Sequence, residues 1–325
     1  MALQTEIWVS SIIEGLFADN SFLSHSVNFD QFVNNKKVHV PNAGAGSDVQ
    51  KNRSVFPASV QKRVDTDLEF TLDEYSIDPT HIPNAETVEL SYDKRNSIIS
   101  TNRAKLFDAI AVGMLKAWAP SKPNRIFSTS GKAEVAHTID ATGNRKSLTK
   151  EDVMKVMTQF NKDNVPATDR WLLIDAVMYS QLLNSLTENE SRAFFSCADP
   201  ARGVIGQLYG FNVMQRSEVL CYEGTTPKEA NTNGKATDFA AALAWHGNSV
   251  LKSAISRHGI AQTRVWLCPW LIEIVGRALG KVKMFDEQDS PTYYGDIVSF
   301  SIRCGGAIIR ADQKGVAAIV QSASA

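Results

Sequence analysis

The longest stretch of helical character in the sequence runs from Ser91 to Trp118 and contains no proline. Apolar residues recur at every fourth position, and this row consists of Leu106, Ile110, Met114 and Trp118. Pro120 ends the helix, because proline has no amide hydrogen to donate to the helical ladder. At about 1.5 Å per residue, the helix is about 40 Å long. A helix of this length needs a sheet or neighbouring subunits to cover its apolar stripe. The simpler interpretation is a core helix in an α+β domain.

The overall composition excludes several classes of protein. The chain has 325 residues, of which 43% are hydrophobic and 21% charged, as in an ordinary soluble protein with a real core. Its net charge of -1 argues against a dedicated nucleic-acid binder, which needs a basic surface. No apolar run reaches the roughly 18 residues that span a bilayer. The N-terminus also lacks the basic start and apolar core of a signal peptide.

The residue types that form catalytic and metal-binding sites show no recognised motif in this sequence. The four cysteines and six histidines lack the close spacing of zinc ligands, and no GxSxG sequence marks a hydrolase nucleophile. The run GRALGK at 276–281 has too few residues between its glycines for a phosphate-binding loop. The acidic cluster of Asp286, Glu287 and Asp289 lacks the ligand spacing of a calcium loop. We therefore predict no catalytic residue, no cofactor and no metal site.

The N-terminal segment Thr5–Phe17 is predicted to be an amphipathic helix with Thr5 as N-cap. Its apolar side chains are numerous for a chain end, which usually frays unless something holds it; they include Ile7, Trp8, Ile12 and Phe17. We expect this helix to pack on its own domain or on a neighbouring subunit.

A second excursion begins after the extended piece Lys37–Pro41 and returns near Pro83. It carries basic residues, namely Lys51, Arg53, Lys62 and Arg63, and then a strand in which Leu68, Phe70 and Leu72 alternate with polar residues. A two-stranded ribbon with one apolar face is marginally stable alone. We expect that face to lie on another subunit; an ordinary hairpin over its own core is the alternative.

The remaining segments predict a compact α/β or α+β subdomain that extends to about Leu279. A helix at Thr149–Asn161 begins with a capping box of Thr149 and Asp152. A buried strand at 171–174, a helix at 176–186 and an apolar strand at 239–245 follow. The C-terminal region from Tyr293 to Gln321 shows strand patterns, with a turn at Gln313-Lys314-Gly315.

Several runs resemble the coat proteins of tailed double-stranded DNA bacteriophages, whose major capsid fold bacterial encapsulins share. They are spread over nearly the whole chain: VHVPNAG, KNRSVFPASVQKRVDTDLEFTLDEY, IPNAETVELSYDKR, GVIGQLYGFNV, ALAWHGNSVLKS and YYGDIVSFSIRCGGAIIRADQKGVAAIV. These runs are patterns of fold and packing and carry no reaction signature. The order of elements, with an arm, a long hairpin, one long helix, an α/β insertion and closing strands, is also similar.

The resemblance implies an α+β tailed-phage major capsid fold with defined parts. These are an N-terminal arm (1–46), an extended loop (47–79), a peripheral domain with the spine helix (80–145), an axial domain (146–291) and C-terminal strands of the peripheral domain (292–325). It implies a non-enzymatic structural protein that forms an icosahedral shell of pentamers and hexamers around the phage genome. The expected inter-subunit contacts are Ile7, Trp8, Ile12, Phe17, Lys51, Arg53, Lys62, Arg63, Leu68, Phe70 and Leu72.

The resemblance also implies partners and a location. We expect copies of the chain itself, a separate scaffold protein or none, a portal, decoration proteins, and double-stranded DNA held without sequence specificity, with no membrane. Assembly is expected in the bacterial cytoplasm and the final location in the virion capsid. Some relatives join a loop lysine covalently to an asparagine of the peripheral domain. Lys51 and Lys62 could supply the lysine, but no asparagine follows Asn248, so we predict a non-covalent shell.

Two alternatives remain open at the level of sequence. An encapsulin-like compartment would use the same shell to house a cargo enzyme. A cytosolic α+β hydrolase would instead need histidine, serine and acidic side chains that converge in a pocket, since catalytic triads are recognised by geometry and not by sequence order.

Overall fold

The computed structural model describes residues 21–33, 36–42, 51–54, 56–57, 60, 62–83, 94–230, 234–247, 274–280 and 282–324. The predicted helix at Thr5–Phe17, with Ile7, Trp8, Ile12 and Phe17, lies outside the described residues. Within them, the helices of four or more residues are α1 (Ser21–Ser24), α2 (Lys94–Trp118), α3 (Lys150–Lys162), α4 (Ala176–Ser185) and α5 (Glu188–Ser196).

The long helix α2 ends at Trp118, as the sequence predicts. Its apolar row is buried, since Leu106, Ile110, Met114 and Trp118 are each at most 4% exposed. The indole Nε1–H of Trp118 donates a hydrogen bond of 2.9 Å to the carbonyl of Gly276, which attaches the end of the helix to the sheet beneath it. The stripe is thus covered within this chain by a sheet.

That sheet has six strands among the described residues. They are β1 (Val27–Asn28), β4 (Asp73–Ser76), β5 (Thr80–Pro83), β15 (Val275–Leu279), β16 (Lys283–Ser290) and β17 (Gly295–Ile308). β17 pairs along one edge with β15 and β16 and along the other with β4 and β5. The run IVSFSIR lies entirely within β17, which ends at Ile308 and so includes only the first two residues of the run AIIRA. Gly306 permits the close crossing of α2, because a Cβ there would lie 2.8 Å from the Met114 sulfur.

A second sheet has eight strands among the described residues. They are β6 (Ile126–Ser128), β9 (Arg170–Asp175), β10 (Gly206–Leu208), β11 (Phe211–Arg216), β12 (Leu220–Glu223), β13 (Thr226–Glu229), β14 (Phe239–His246) and β18 (Val316–Val320). β9 and β14, both predicted, pair antiparallel at the centre of the sheet, where nearly every residue is buried. Helix α3 has the predicted Thr149–Asp152 capping box.

The strand pairings cut across the implied boundary at 291. β15 and β16 precede it but pair with β17, whereas β18 follows it but pairs with β14 and β6. One continuous hydrophobic core joins both sheets and α2. Two smaller ribbons complete the described architecture: β2 (Lys37–Asn42) with β3 (Thr66–Thr71), and β7 (Ala133–Val135) with β8 (Asn144–Lys146). Among the described residues, no helix combines the length and hydrophobicity that a membrane span requires.

Candidate functional site

The excursion between β2 and β3 exposes apolar side chains. Phe56 is 76% exposed, Val60 98% and Val64 72%, all within nine residues of sequence. Large apolar residues that cluster on an exposed segment are typical of a surface that another molecule covers. The excursion is therefore the described part of the chain that best fits an assembly contact.

The predicted basic residues lie on the same excursion. Lys51, Lys62 and Arg63 are exposed and Arg53 is half-buried. The guanidinium of Arg63 donates two hydrogen bonds to Asp65, from Nε to Oδ1 at 2.6 Å and from Nη2 to Oδ2 at 2.9 Å. This bidentate pair neutralises the charge of Arg63 locally, while Lys51 and Lys62 project into solvent.

The apolar face of β3 is covered by the chain itself, which corrects one sequence-based expectation. Phe70 is only 8% exposed and Leu72, which follows the strand, 7%, whereas Leu68 is half-buried. They pack in a second, smaller core with residues of β1, β2 and β15 and their flanks, namely Val27, Phe29, Val38, Val40, Ala278 and Ile309. The alternative of a hairpin over its own core is the correct one for Phe70 and Leu72, because the sheet supplies an apolar surface that the sequence pattern does not reveal.

The opposite face of the same ribbon is polar. Lys37 Nζ lies 3.0 Å from Glu69 Oε2, and His39 Nδ1 lies 2.8 Å from Asp67 Oδ2 and 3.4 Å from Glu69 Oε1. The cross-strand register places these groups together, since Lys37 pairs with Thr71, His39 with Glu69 and Pro41 with Asp67. Spacing along the sequence gives no sign of this cluster, because Asp67 is 28 positions from His39.

A cavity at the start of α4 tests the hydrolase alternative. His137, Asp175 and Ser217 all line it, and His137 Nε2 lies 3.1 Å from Asp175 Oδ2. The remaining ring nitrogen, Nδ1, is buried without a hydrogen-bond partner, so His137 does not activate Ser217 as a triad requires. Asp175 also accepts a hydrogen bond from the Met178 amide and so caps α4.

Two further properties of this cavity argue against catalysis. Its volume of about 40 Å³ is that of a few water molecules. Burial raises the pKa of the neighbouring Cys221 thiol to about 12, so this thiol stays protonated and is a poor nucleophile. The described geometry fits a structural cavity.

The other sequence candidates occupy structural positions. Gly276 to Leu279 of the run GRALGK lie in the regular strand β15, and Asp286 and Glu287 lie on β16. The ring of His25 stacks on Trp171 with a centroid distance of 3.5 Å. Burial, together with Arg202 and Arg277, lowers the pKa of His25 to about 4, so it is neutral at physiological pH.

Comparison with known proteins addresses the fold directly. No protein-family model and no curated protein matches the chain. Among solved structures, the capsid of Ralstonia phage GP4 aligns with a TM-score of 0.60 at 10% identity, covering 92% of this chain and 87% of that chain. The structure of Mycobacterium phage Che8 aligns with a TM-score of 0.53 at 16% identity, covering 88% and 85%.

The chain has the tailed-phage major capsid fold. A virus-like particle from Pyrococcus furiosus also aligns, with a TM-score of 0.53 at 10% identity over 97% of this chain and 99% of that chain. The likeness extends over nearly the full length in each case, so the capsid fold accounts for both sheets and the spine helix. The α+β capsid architecture predicted from sequence is confirmed.

Proposed function

We propose that this chain is the major capsid protein of a tailed bacteriophage, a structural protein without catalytic activity. Copies assemble as pentamers and hexamers into an icosahedral shell that encloses the phage genome. The observation that carries the proposal is the capsid fold over 92% of the chain in the GP4 comparison, because a likeness of this extent covers most of the surface that could meet neighbouring subunits.

The exposed side chains of the excursion support this role. Phe56, Val60 and Val64 lie in solvent in the single chain. Burying each of them against a neighbour contributes roughly 1.5 to 3 kcal/mol. A contact between different surfaces of identical chains is heterologous and closes into rings when the rotation allows it. Lys51, Arg53 and Lys62 lie close to the apolar residues in sequence and provide charged contacts with the neighbour, whereas Arg63 is paired with Asp65.

The remaining parts of the proposal follow from the capsid fold. Residues 1–46, with Ile7, Trp8, Ile12 and Phe17, act as an arm that contacts a neighbour, and residues 47–79 act as the extended loop. The axial and peripheral domains divide near residues 145 and 291, although strand pairing crosses the latter. Scaffold, portal and decoration proteins act as partners, and assembly takes place in the bacterial cytoplasm.

The balanced charge of the chain suits a container for DNA. Lys and Arg number 34 against 35 Asp and Glu, so the shell binds the duplex without a strongly basic lining. A strongly adhesive lining would resist both packaging and release. Packaged DNA therefore lies inside without sequence-specific contacts.

The decisive experiment is electron microscopy of the purified full-length chain, with size-exclusion chromatography. We expect closed particles or rings of five and six subunits for the wild type, and loss of these species in the variant F56S/V60S/V64S. Val135→Ser is the matched control, because Val135 is 76% exposed but lies on β7, away from the excursion. Wild-type species smaller than a pentamer under every condition would contradict the proposal.

An encapsulin-like compartment, the alternative that shares the same shell fold, is the second candidate. The two functions differ in what the shell contains. Nuclease-resistant DNA inside purified particles supports the capsid, and a co-purified cargo protein without DNA supports the compartment.

A further inference from the structure

We propose that His39, Asp67 and Glu69 form a binding site for a divalent transition metal of the Zn²⁺ class on the outer face of the β2–β3 ribbon. Each residue offers one ligand atom, and the three atoms lie within 4.8 Å of one another. All three residues belong to one chain, so the proposal does not depend on shell assembly. It departs from the sequence analysis, which predicted no metal site.

Two of the three distances between the ligand atoms match a shared metal ion, and the third pair, Asp67 and Glu69, lies within 4.8 Å. Two ligands that each lie about 2.1 Å from a metal are about 3.0 Å apart in octahedral and about 3.4 Å apart in tetrahedral geometry. The observed distances from His39 Nδ1 are 2.8 Å to Asp67 Oδ2 and 3.4 Å to Glu69 Oε1. A metal ion that binds there replaces the hydrogen bond between Nδ1 and Asp67 and requires only small movements of the side chains.

The ribbon holds these ligands in place from its other face. Val38 and Val40 alternate with Lys37, His39 and Pro41 along β2 and are buried, as is Phe70 beside Glu69 on β3. Antiparallel pairing places His39 directly opposite Glu69. The ligands are thus carried by paired strands anchored in the second core, which reduces the cost of ordering them.

The second oxygen of Glu69 has its own partner. Lys37 Nζ lies 3.0 Å from Oε2, whereas Oε1 faces His39. The lysine therefore orients the carboxylate without occupying the oxygen that binds the metal, as an outer-shell residue does.

The ligand set selects the class of metal. An imidazole nitrogen with two carboxylates suits Zn²⁺ and similar transition metals, whereas Ca²⁺ and Mg²⁺ prefer all-oxygen sites. About half of each ligand side chain is exposed, with relative exposures of 48%, 51% and 47%. The ion therefore enters directly from solvent, and water completes its coordination.

The test is equilibrium dialysis of the full-length chain against Zn²⁺, with bound metal measured by atomic absorption. We expect the wild type to bind one Zn²⁺ per chain at this site and His39→Ala to bind none there. The affinity of Asp67→Asn for Zn²⁺ should be lower than that of the wild type by about tenfold or more. His81→Ala is the matched control, because His81 is an exposed histidine on β5 beside Tyr293 and outside the cluster. It should bind as much zinc as the wild type.

Co²⁺ gives a second, spectroscopic readout that does not depend on comparing the total amounts of bound metal. Its visible absorption bands should appear with the wild type and His81→Ala and be absent with His39→Ala. Circular dichroism of His39→Ala without metal establishes that the variant is folded; if it is not, Asp67→Asn provides the comparison. Equal zinc binding by the wild type and by folded His39→Ala or Asp67→Asn overturns the proposal.

Discussion

The hydroxyl oxygen of Tyr75 lies 2.0 Å from the position that a Cβ atom would take at Gly113. Gly113 is in the C-terminal half of the spine helix α2, at an interior position where glycine is ordinarily unfavourable by about 1 kcal/mol relative to alanine. Tyr75 is on β4, in the sheet that the helix covers. The glycine is thus explained by the tyrosine that packs against the helix.

Gly113→Ala should destabilise the chain by about 1 to 3 kcal/mol, because the added methyl group displaces the Tyr75 ring. The double variant Tyr75→Phe/Gly113→Ala should recover part of this loss, since the nearest remaining ring atom lies 3.2 Å from the new carbon. Chemical denaturation measures both values. A Gly113→Ala chain more stable than the wild type would show that the intrinsic helix preference outweighs the clash.

The buried ion pair of Arg125 and Asp163 supports a second prediction. The two side chains are only 3% and 9% exposed. Asp163→Ala should cost about 3 to 5 kcal/mol, because it leaves the Arg125 charge buried and unpaired. The double variant Arg125→Met/Asp163→Ala should lose less stability than Asp163→Ala alone, because no unpaired charge is then buried.

An exposed ion pair serves as the control for that experiment. Glu188 and Arg192 lie one helical turn apart on α5, with 79% and 75% of their side chains exposed. Glu188→Ala should cost at most about 1 kcal/mol. Equal effects at the two pairs in denaturation experiments would contradict the assignment of the Arg125 site as buried.

The stability of the chain should depend on pH through His25. Burial and two arginines lower the pKa of His25 from 6.5 to about 4 in the folded chain. As the pH falls, His25 is therefore protonated in the unfolded chain before it is protonated in the folded chain. The contribution of neutral His25 to the free energy of unfolding is complete above pH 6.5 and is lost as the pH falls from 6.5 to 4. His25→Phe, which keeps a ring against Trp171, should flatten this part of the pH profile. His81→Phe is the control and should keep the wild-type profile; identical profiles for all three chains would contradict the prediction.

The proposed shell should be held together without covalent links. Lys51 and Lys62 lie on the excursion, but the C-terminal strands of the peripheral domain (292–325) contain no asparagine to accept either amine. Mature particles boiled in reducing denaturing buffer should run as a single band of 35.7 kDa on a gel. A ladder of multimers would contradict the prediction. A single band would show that non-covalent contacts alone hold the shell together.

Local patterns predicted elements whose signals lie within a few residues. The end of α2 before Pro120, the capping box of α3 and the buried strand β14 all agree with the structure. Helix α5 also has such a signal, a capping box of Thr187 and Glu190, which the sequence analysis overlooked. The short ribbon β7–β8 has exposed strands with little apolar alternation, so periodicity did not reveal it.

The sequence by itself determined helices α2 to α4, the central strands β9 and β14, and an order of elements similar to that of the capsid fold, because caps, prolines and periodicity act over a few neighbouring residues. Tertiary structure alone decided what covers each apolar face and which distant side chains meet. Phe70 and Leu72 are buried under β1 and β15, and His39 reaches Asp67 across a strand pair. These contacts depend on pairing and packing between residues far apart in the chain, and an amphipathic pattern specifies that a face is apolar without specifying which surface it meets.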